Sequence, residues 1–401
     1  MNRNIFPNLF RFSTPSESLR VSAPSRGGMT LKSACNDGLY GLQRISALFW
    51  AVLLGLMAML TGPAAAGYAD QARESVATFK DFRFASGERL PELKITFTTL
   101  GTPRRNAKGE IDNAVMVLHG TGGSGRSFLV PQFADELYGP GAPLDITKTF
   151  VILPDNIGHG KSSKPSDGLR MAFPKYDYDD MVAAQHRLVT ETLGIKQLKL
   201  ILGTSMGCMH AFVWGTTYPG AAAKLAPFAC QPVTIAGRNR MWRKMAIDAI
   251  KADPAWDGGN YTASPEQGMR TVAYLSIIAG GNASALQAQY PERAGAEAAL
   301  DAAFANQTGR KTDANNAIYW YDSSRSYNPA PNLAKITVPV LWINSADDFI
   351  NPPELGIAER EVKKMPRARF ILIPASAETK GHGTHTWAKF WKDDLAKLLA
   401  E

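Results

Sequence analysis

The segment from residue 198 to residue 214 constrains the fold more than any other part of the chain. A short apolar run, LKLIL, leads into Gly203-Thr204-Ser205-Met206-Gly207, and a segment with helical character follows. A strand, a tight G-x-S-x-G turn and a helix form the setting in which a serine is exposed as a nucleophile. The small residues at 203 and 207 let the two backbones approach closely, and the helix N-terminus favours negative charge beside Ser205. Because the pentapeptide alone is common, it needs support from the rest of the chain.

Strand and helix patterns alternate on both sides of this segment. Apolar runs predict strands at residues 93–100, 114–118, 150–154, 225–230, 338–344 and 369–374, and helical patterns cover residues 178–193 and 387–399. This alternation predicts an α/β fold with a mostly parallel sheet and helices on both faces. The 401 residues suffice for one large α/β domain with an insertion, or for two ordinary domains.

The pattern changes between residues 231 and 336. Helical signals dominate there, at residues 242–250, after Ser264 and Glu266, and in the alanine-rich stretch 294–305, while strand-like runs are few. An insertion of this size between two sheet strands most simply forms a helical cap over a site. We therefore predict a core of residues 67–230 and 337–401, and a helical cap of residues 231–336.

The N-terminal 66 residues have the organisation of an export signal. Residues 45–60 form an uncharged apolar run, Arg44 precedes it, and small residues follow it up to Ala66. This pattern predicts cleavage near Ala66 and a periplasmic or secreted protein that is not inserted in a membrane afterwards. The run is short for a complete span, and the alternative is a retained membrane anchor. Met29 is an alternative start for the chain.

Charge and motif content exclude several classes of function. The net charge is +8, but residues 1–66 contain six Lys/Arg and two Asp/Glu, which leaves 38 minus 34, or +4, for the rest. That charge is too small and too dispersed to predict nucleic-acid binding. The sequence has no H-E-x-x-H motif, so we predict neither a metal nor another cofactor.

Cys208 and Cys230 fall in predicted core elements, and we expect two buried thiols in place of a disulfide.

A serine, an acid and a histidine follow three of the predicted strands, in the chain order typical of α/β-hydrolases. The C-terminal ends of parallel strands meet at one edge of a sheet, so these residues can come together. Ser205 needs a base to remove its proton. We predict His382 for this role because it follows a glycine directly after the last strand, with His385 as the alternative.

The acid that would orient this histidine is predicted to be Asp348. It stands four residues before Pro352, as in a D-x-x-x-P pattern, whereas the adjacent Asp347 is the alternative. Such an acid holds the imidazole in the correct tautomer and stabilises its cation.

A glycine-rich loop, residues 119–125, follows the strand at 114–118. Backbone N–H groups in such a loop can stabilise an oxyanion, so we predict the N–H groups of Thr121 and Met206 as donors, with Gly122 as a substitute for Thr121. A phosphate-binding loop would require a Lys-Ser/Thr pair, which this loop lacks. His119 is expected to brace its own loop, and His159 to support the site from below.

From about Ala114 onward these motifs resemble the homoserine O-acetyltransferase-like branch of the α/β-hydrolase superfamily. The resemblance implies the α/β-hydrolase fold, a helical cap and an acyl-enzyme on the serine. The residues that carry it are Phe173-Pro174, Asp180-Met181-Val182, Gln185, Leu193-Gly194-Ile195, the segment 203–207, Tyr218-Pro219, Asp313-Ala314-Asn315 and Gly381-His382.

The chain also departs from that branch. Thr204 and Cys208 interrupt its G-G-S-M-G-G pattern, and Gly383 stands where the resemblance implies an aspartate that holds the substrate amino group. Ala273 stands where it implies an arginine for the substrate carboxylate, with Arg270 nearby. These departures argue against homoserine as the acceptor, and export argues against acyl-CoA as the donor. The sequence thus predicts an exported serine hydrolase acting on an ester or related small-molecule acyl substrate; the alternative is an acyltransferase with a different acceptor.

Overall fold

The computed structural model describes residues 67–306 and 312–401. These residues form one sheet with helices on both faces. The strands are β1 (Arg73–Arg83), β2 (Arg89–Leu100), β3 (Ala114–Leu118), β4 (Phe150–Pro154), β5 (Leu200–Thr204), β6 (Leu225–Phe228), β7 (Val340–Ser345) and β8 (Ala368–Ile373). The helices are α1 (Tyr68–Gln71), α2 (Pro131–Leu137), α3 (Tyr178–Arg187), α4 (Met206–Thr217), α5 (Gly237–Ala252), α6 (Glu266–Gly280), α7 (Ala283–Gln289), α8 (Arg293–Asn306), α9 (Ala314–Asp322), α10 (Ile357–Glu361) and α11 (Lys392–Ala400).

The eight strands lie in the order β1-β2-β4-β3-β5-β6-β7-β8. Strands β3 to β8 are mutually parallel, whereas β1 and β2 form an antiparallel edge next to β4. The predicted α/β fold with a mostly parallel sheet is therefore confirmed. Strand β1 was not predicted, because its residues are mostly exposed and polar and give no continuous apolar run.

The position of the central strands in the sheet explains why their sequences are almost continuously apolar. Every residue of β3, β4 and β5 is buried. Successive side chains of a strand point to opposite faces, and both faces of this sheet are covered. Met116 accordingly packs into one hydrophobic cluster and Val117 into the other. This burial fixes the C-terminal ends of the strands, where the predicted site residues follow.

Between β6 and β7 the described residues form helices α5 to α9, and we call residues 231–336 the insertion. Its helices share a hydrophobic cluster of their own, which includes Ile250, Met269 and Ala317. The insertion also touches the loop after β4, where Trp320 Nε1 donates to Gly158 O at 2.6 Å. The Trp320 ring stacks on His159 with a centroid separation of 5.1 Å.

A disulfide joins Cys208 in α4 to Cys230 just after β6, and the prediction of two thiols was wrong. The register of the sheet supplies the reason. Thr204 at the end of β5 lies opposite Phe228 at the end of β6, so the segments that follow these two strands are brought together. The apolar pattern predicted that both cysteines are buried but could not show that their elements are neighbours.

Removing this disulfide is expected to lower the free energy of unfolding by about 3 kcal/mol. The bond closes a loop with a sequence separation of 22 residues, and the entropy that such a cross-link removes from the unfolded chain corresponds to roughly this amount. Denaturant unfolding of the double variant Cys208→Ala/Cys230→Ala would measure the change. The reduced wild-type protein serves as the control, and equal stabilities of the oxidised protein and the double variant would contradict the assignment.

The predicted export signal, residues 1–66, lies outside the described residues. Within residues 67–306 and 312–401, no helix is long and apolar enough to cross a membrane.

Candidate active site

Ser205 lies between β5 and α4, on a turn that only small neighbours permit. Its φ is 55°, in a region that serine rarely adopts. A Cβ on Gly203 would lie 2.0 Å from Gly207 O, and a Cβ on Gly207 would lie 2.0 Å from Leu118 O. The two glycines therefore allow β5, α4 and β3 to pack closely, and the strained turn presents the Ser205 side chain at the end of the sheet.

The structure brings Ser205, His382 and Asp348 together. His382 Nε2 lies 2.8 Å from Ser205 Oγ, and His382 Nδ1 lies 2.8 Å from Asp348 Oδ2. Asp348 follows β7, whereas His382 follows β8 in a short 3₁₀ helix (Gly381–Thr386). With Nδ1–H donating to the carboxylate, Nε2 is free to accept the serine proton.

The Asp348 carboxylate is buried but well supplied with donors. Asn351 Nδ2 donates to Oδ2 at 2.9 Å, and the backbone N–H groups of Ile350 and Asn351 donate to Oδ1 at 2.7 Å and 3.1 Å. Burial by itself would raise the pKa of Asp348, but the charge of His382 and these hydrogen bonds hold that pKa below its usual value. The group is therefore a carboxylate at neutral pH and can stabilise an imidazolium.

The adjacent Asp347 has different partners. It accepts hydrogen bonds from Gly381 N at 3.1 Å, from Thr379 Oγ1 at 2.8 Å, and from Asn282 Nδ2 and Ser345 Oγ. Gly381 directly precedes His382, and Asn282 caps helix α7 of the insertion. Of the two acids that the sequence left open, Asp348 contacts the histidine, while Asp347 ties the histidine loop to the insertion.

His385 contacts His382, whereas the ring that bonds the serine hydroxyl is that of His382. Its Nδ1 bonds the carbonyl oxygen of His382, and the two rings are 5.0 Å apart. Burial, reinforced by the charge of His382, lowers the pKa of His385 to about 3. His385 is therefore neutral at physiological pH and supports the loop.

The glycine-rich loop after β3 passes directly beside the serine. A Cβ on Gly120 would lie 3.2 Å from Ser205 Cβ. The carbonyl oxygen of Gly120 accepts hydrogen bonds from His119 Nδ1 at 2.8 Å and from Gly123 N at 3.1 Å. Thr121 follows in this loop, and Met206 is the first residue of α4, where the backbone N–H has no partner within the helix. Both predicted oxyanion donors thus lie on the segments that flank Ser205.

A buried polar network that sequence reasoning missed supports this loop. Asn156 donates its backbone N–H to His119 Nε2 at 3.1 Å, Gln185 Nε2 donates to Asn156 Oδ1, and Trp214 Nε1 donates to Gln185 Oε1 at 2.7 Å. Burial lowers the pKa of His119, and a neutral ring allows Nε2 to accept while Nδ1–H donates to Gly120. Gln185, a polar residue between apolar helix positions, was the signal that could have revealed the network.

The two anchors that the family resemblance implied are absent from their expected positions. Ala273 is buried in the insertion, and Arg270 is engaged there by Asp301 at 3.4 Å and by the ring of Phe304 at 4.3 Å. Gly383 brings no side chain to that position, where a Cβ would make an ordinary van der Waals contact with Lys380 Cβ at 3.6 Å. Within the described parts of the chain, no cluster of three or more His, Cys, Asp or Glu residues could hold a metal ion.

Comparisons with known proteins agree with this architecture. Residues 113–378 match the sequence model of the alpha/beta hydrolase fold family. Homoserine O-acetyltransferase from Chlorobaculum parvum is 28% identical over 344 residues, which cover 77% of this chain and 90% of that protein. Serine O-succinyltransferase from Litchfieldella anticariensis is 33% identical over 220 residues, which cover 49% of this chain and 56% of that protein. An acetylester hydrolase from Corynebacterium glutamicum has a similar fold, with a TM-score of 0.68 and 20% identity over 82% of this chain and 96% of the other.

Proposed function

Because the chain belongs to the alpha/beta hydrolase fold family, we propose that it transfers an acyl group through a covalent intermediate on Ser205. The observation that carries this proposal is the line of hydrogen bonds from Ser205 through His382 to Asp348. Ser205 Oγ attacks the carbonyl carbon of an ester or related acyl donor while His382 Nε2 takes the hydroxyl proton. The bond to the leaving group then breaks, and His382 returns the proton to the leaving group, which leaves the acyl group on Ser205.

Stabilisation of the oxyanion completes the first half of the reaction. The negative charge develops on the carbonyl oxygen beside Ser205, where the backbone N–H groups of Met206 and Thr121 would donate to it. Each such donor contributes roughly 3 to 4 kcal/mol to the stability of the transition state. The partial positive charge at the start of helix α4 adds to the same effect.

The second half of the reaction gives the acyl group to a hydroxyl acceptor. His382 removes the proton of the acceptor, whose oxygen attacks the acyl carbon. The bond between that carbon and Ser205 Oγ then breaks, and His382 returns the proton to Ser205 Oγ. Hydrolysis was the first prediction from the sequence, but the similarity to proteins named as O-acyltransferases supports acyl transfer instead. Gly383 and Ala273, which leave the two implied anchors empty, support an acceptor other than homoserine.

Hydrolysis is the second candidate, favoured by Gly383, which supplies no side chain to bind an acceptor directly after His382. In that reaction water takes the place of the hydroxyl acceptor, and His382 activates it in the same way.

Partition of the acyl group between acceptor and water discriminates the two candidates. The protein would be mixed with para-nitrophenyl acetate and a panel of small alcohols and hydroxy acids, and acetylated acceptor and free acetate would be quantified. Acyl transfer predicts that at least one acceptor diverts the acetyl group from acetate in proportion to its concentration. Acetate as the sole product with every acceptor would establish the hydrolase. If neither product forms although a fluorophosphonate probe labels Ser205, the donor belongs to another acyl class.

Export is part of the proposal. The Cys208–Cys230 disulfide supports it, since disulfides persist in oxidising compartments and are rare in the cytoplasm. The protein recovered from the periplasm or medium is expected to begin near residue 67. A protein that stays in the cytoplasm with residues 1–66 attached would contradict this.

A further inference from the structure

A short segment at the end of β6 contacts both the nucleophile and the acid side of the candidate site. Phe228 O, in the last residue of β6, accepts the backbone N–H of Ser205 at 2.9 Å. Two residues later, Cys230 is bonded to Cys208, the third residue of α4. We call residues 228–230 the bridge segment. One hydrogen bond and one covalent bond therefore attach it to the serine turn and to the first turn of α4.

Ala229, in the middle of the bridge segment, has a backbone conformation that alanine rarely adopts. Its φ is 64°, in the left-handed region. Such a conformation costs free energy and persists only where surrounding contacts enforce it. Here the contacts come from β7, where Ile343 O accepts the Ala229 N–H at 2.8 Å. Trp342 Nε1 and Asn344 Nδ2 also donate to Cys230 O, at 3.0 Å and 3.2 Å. These bonds hold the bridge segment against β7 and fix the direction of the Ala229 carbonyl.

Asn351 connects this carbonyl to the candidate acid. Asn351 is only 5% exposed, and its Nδ2 donates to Ala229 O at 3.0 Å and to Asp348 Oδ2 at 2.9 Å. These two bonds use both hydrogens of the amide nitrogen. Asp348 Oδ2 is also the oxygen that lies 2.8 Å from His382 Nδ1. The amide of Asn351 therefore holds the oxygen that meets the imidazole at a set distance from the bridge segment.

These contacts close a ring that passes through the candidate triad. The ring runs from Ser205 through Cys208, Cys230, Ala229, Asn351, Asp348 and His382 back to Ser205. The disulfide is a covalent cross-link within this ring, so it limits how far the serine and the acid can move apart. The limit matters because a misplacement of roughly 1 Å between catalytic groups can lower a rate about 100-fold.

We propose that Asn351 is a positioning residue for Asp348, and that the Cys208–Cys230 disulfide holds the other end of this contact. The inference rests on the proposed acyl transfer and adds a determinant of its rate. Asn351 acts through the acid, which orients His382 for proton transfer. An apolar residue at position 351 would take this donor away from both the Ala229 carbonyl and the carboxylate. The disulfide thus supports catalysis in addition to stability.

The first test measures how fast a fluorophosphonate probe labels Ser205 in the Asn351→Leu variant, which removes the donor and leaves the disulfide intact. The labelling rate constant at saturating probe is expected to fall about 10- to 100-fold, as for the loss of a hydrogen bond to a charged group. The probe concentration that gives half of this rate should change less than about threefold, and labelling should still go to completion. A purely structural role would lower the final extent of labelling, through loss of folded protein, and leave the rate constant unchanged. Asn332→Leu, which replaces an exposed asparagine, is the matched control and should change neither quantity.

The second test asks whether the disulfide acts through Asn351. At a temperature where circular dichroism shows every variant folded, Cys208→Ala/Cys230→Ala is expected to lower the labelling rate constant about 10-fold, because the bridge segment loses its covalent anchor. Combined with Asn351→Leu, it should cause little further loss, since changes that act through one contact are not additive. The first test stands even if the cysteine variant does not fold.

Two kinds of failure can be told apart. If the wild type is labelled at Ser205, an unchanged rate constant in Asn351→Leu or in the folded cysteine variant would overturn the inference and leave the acyl-enzyme in place. A combined loss equal to the product of the two separate losses would do the same. If wild-type Ser205 is not labelled at all, the proposed nucleophile fails, and the inference fails with it.

Discussion

Replacing Ser205 with alanine is expected to lower kcat for any ester substrate by about 10⁴- to 10⁶-fold, because no other group can form the acyl-enzyme. The hydroxyl lies 2.8 Å from His382 Nε2, and its removal leaves the base without a proton to take. A fluorophosphonate probe should label the wild-type protein and fail to label the variant. The loss is chemical and not structural, so the Tm of the variant should match that of the wild type.

Ser86→Ala provides the matched control for this experiment. Ser86 is exposed, and its hydroxyl donates to Glu88 at the surface. This variant should retain full activity and full labelling. Equal labelling of Ser205→Ala and the wild type would contradict the assignment of the nucleophile.

Replacing Asp348 with asparagine is expected to lower kcat by about 10⁴-fold, since the histidine would lose the carboxylate that selects its tautomer and stabilises its cation. The adjacent substitution, Asp347→Asn, should have a much smaller effect, about 10-fold, which acts through the position of the histidine loop. Asp347 bonds Gly381 and Thr379 and does not touch the His382 ring. Steady-state kinetics of both variants with one ester substrate would measure the difference.

The two variants also differ in what they do to stability. Asp347→Asn removes an acceptor shared by the histidine loop and Asn282, so it is expected to destabilise the protein by about 1 to 3 kcal/mol. A larger loss of kcat in Asp347→Asn than in Asp348→Asn would show that the acid has been assigned to the wrong neighbour.

These adjacent acids illustrate what the sequence could and could not predict. The order of serine, acid and histidine along the chain, each after a strand, was enough to place all three at one edge of the sheet. Neighbouring residues in a loop point in different directions, however, and the choice between Asp347 and Asp348 depends on backbone geometry that no periodicity encodes. The same holds for His382 and His385, three residues apart in one 3₁₀ helix.

The features that sequence reasoning missed all depend on contacts between distant elements. Cys208 and Cys230 are joined because the ends of β5 and β6 are neighbours in the sheet. Strand β1 was missed because an exposed edge needs no apolar run. The insertion was recognised as helical, but the burial of Arg243 depends on how its helices pack, and one charged residue on an amphipathic helix gives no sign of burial.

The acyl-enzyme itself is the most direct test of the central claim. The full protein would be mixed with para-nitrophenyl acetate, quenched within the first turnover, and examined by intact mass and peptide mapping. We predict a burst of nitrophenol equal to the amount of enzyme, together with a transient mass increase of one acetyl group located on Ser205. Steady product formation with no burst and no acetylated Ser205 at any quench time, or an acetyl group located on another residue, would contradict the mechanism.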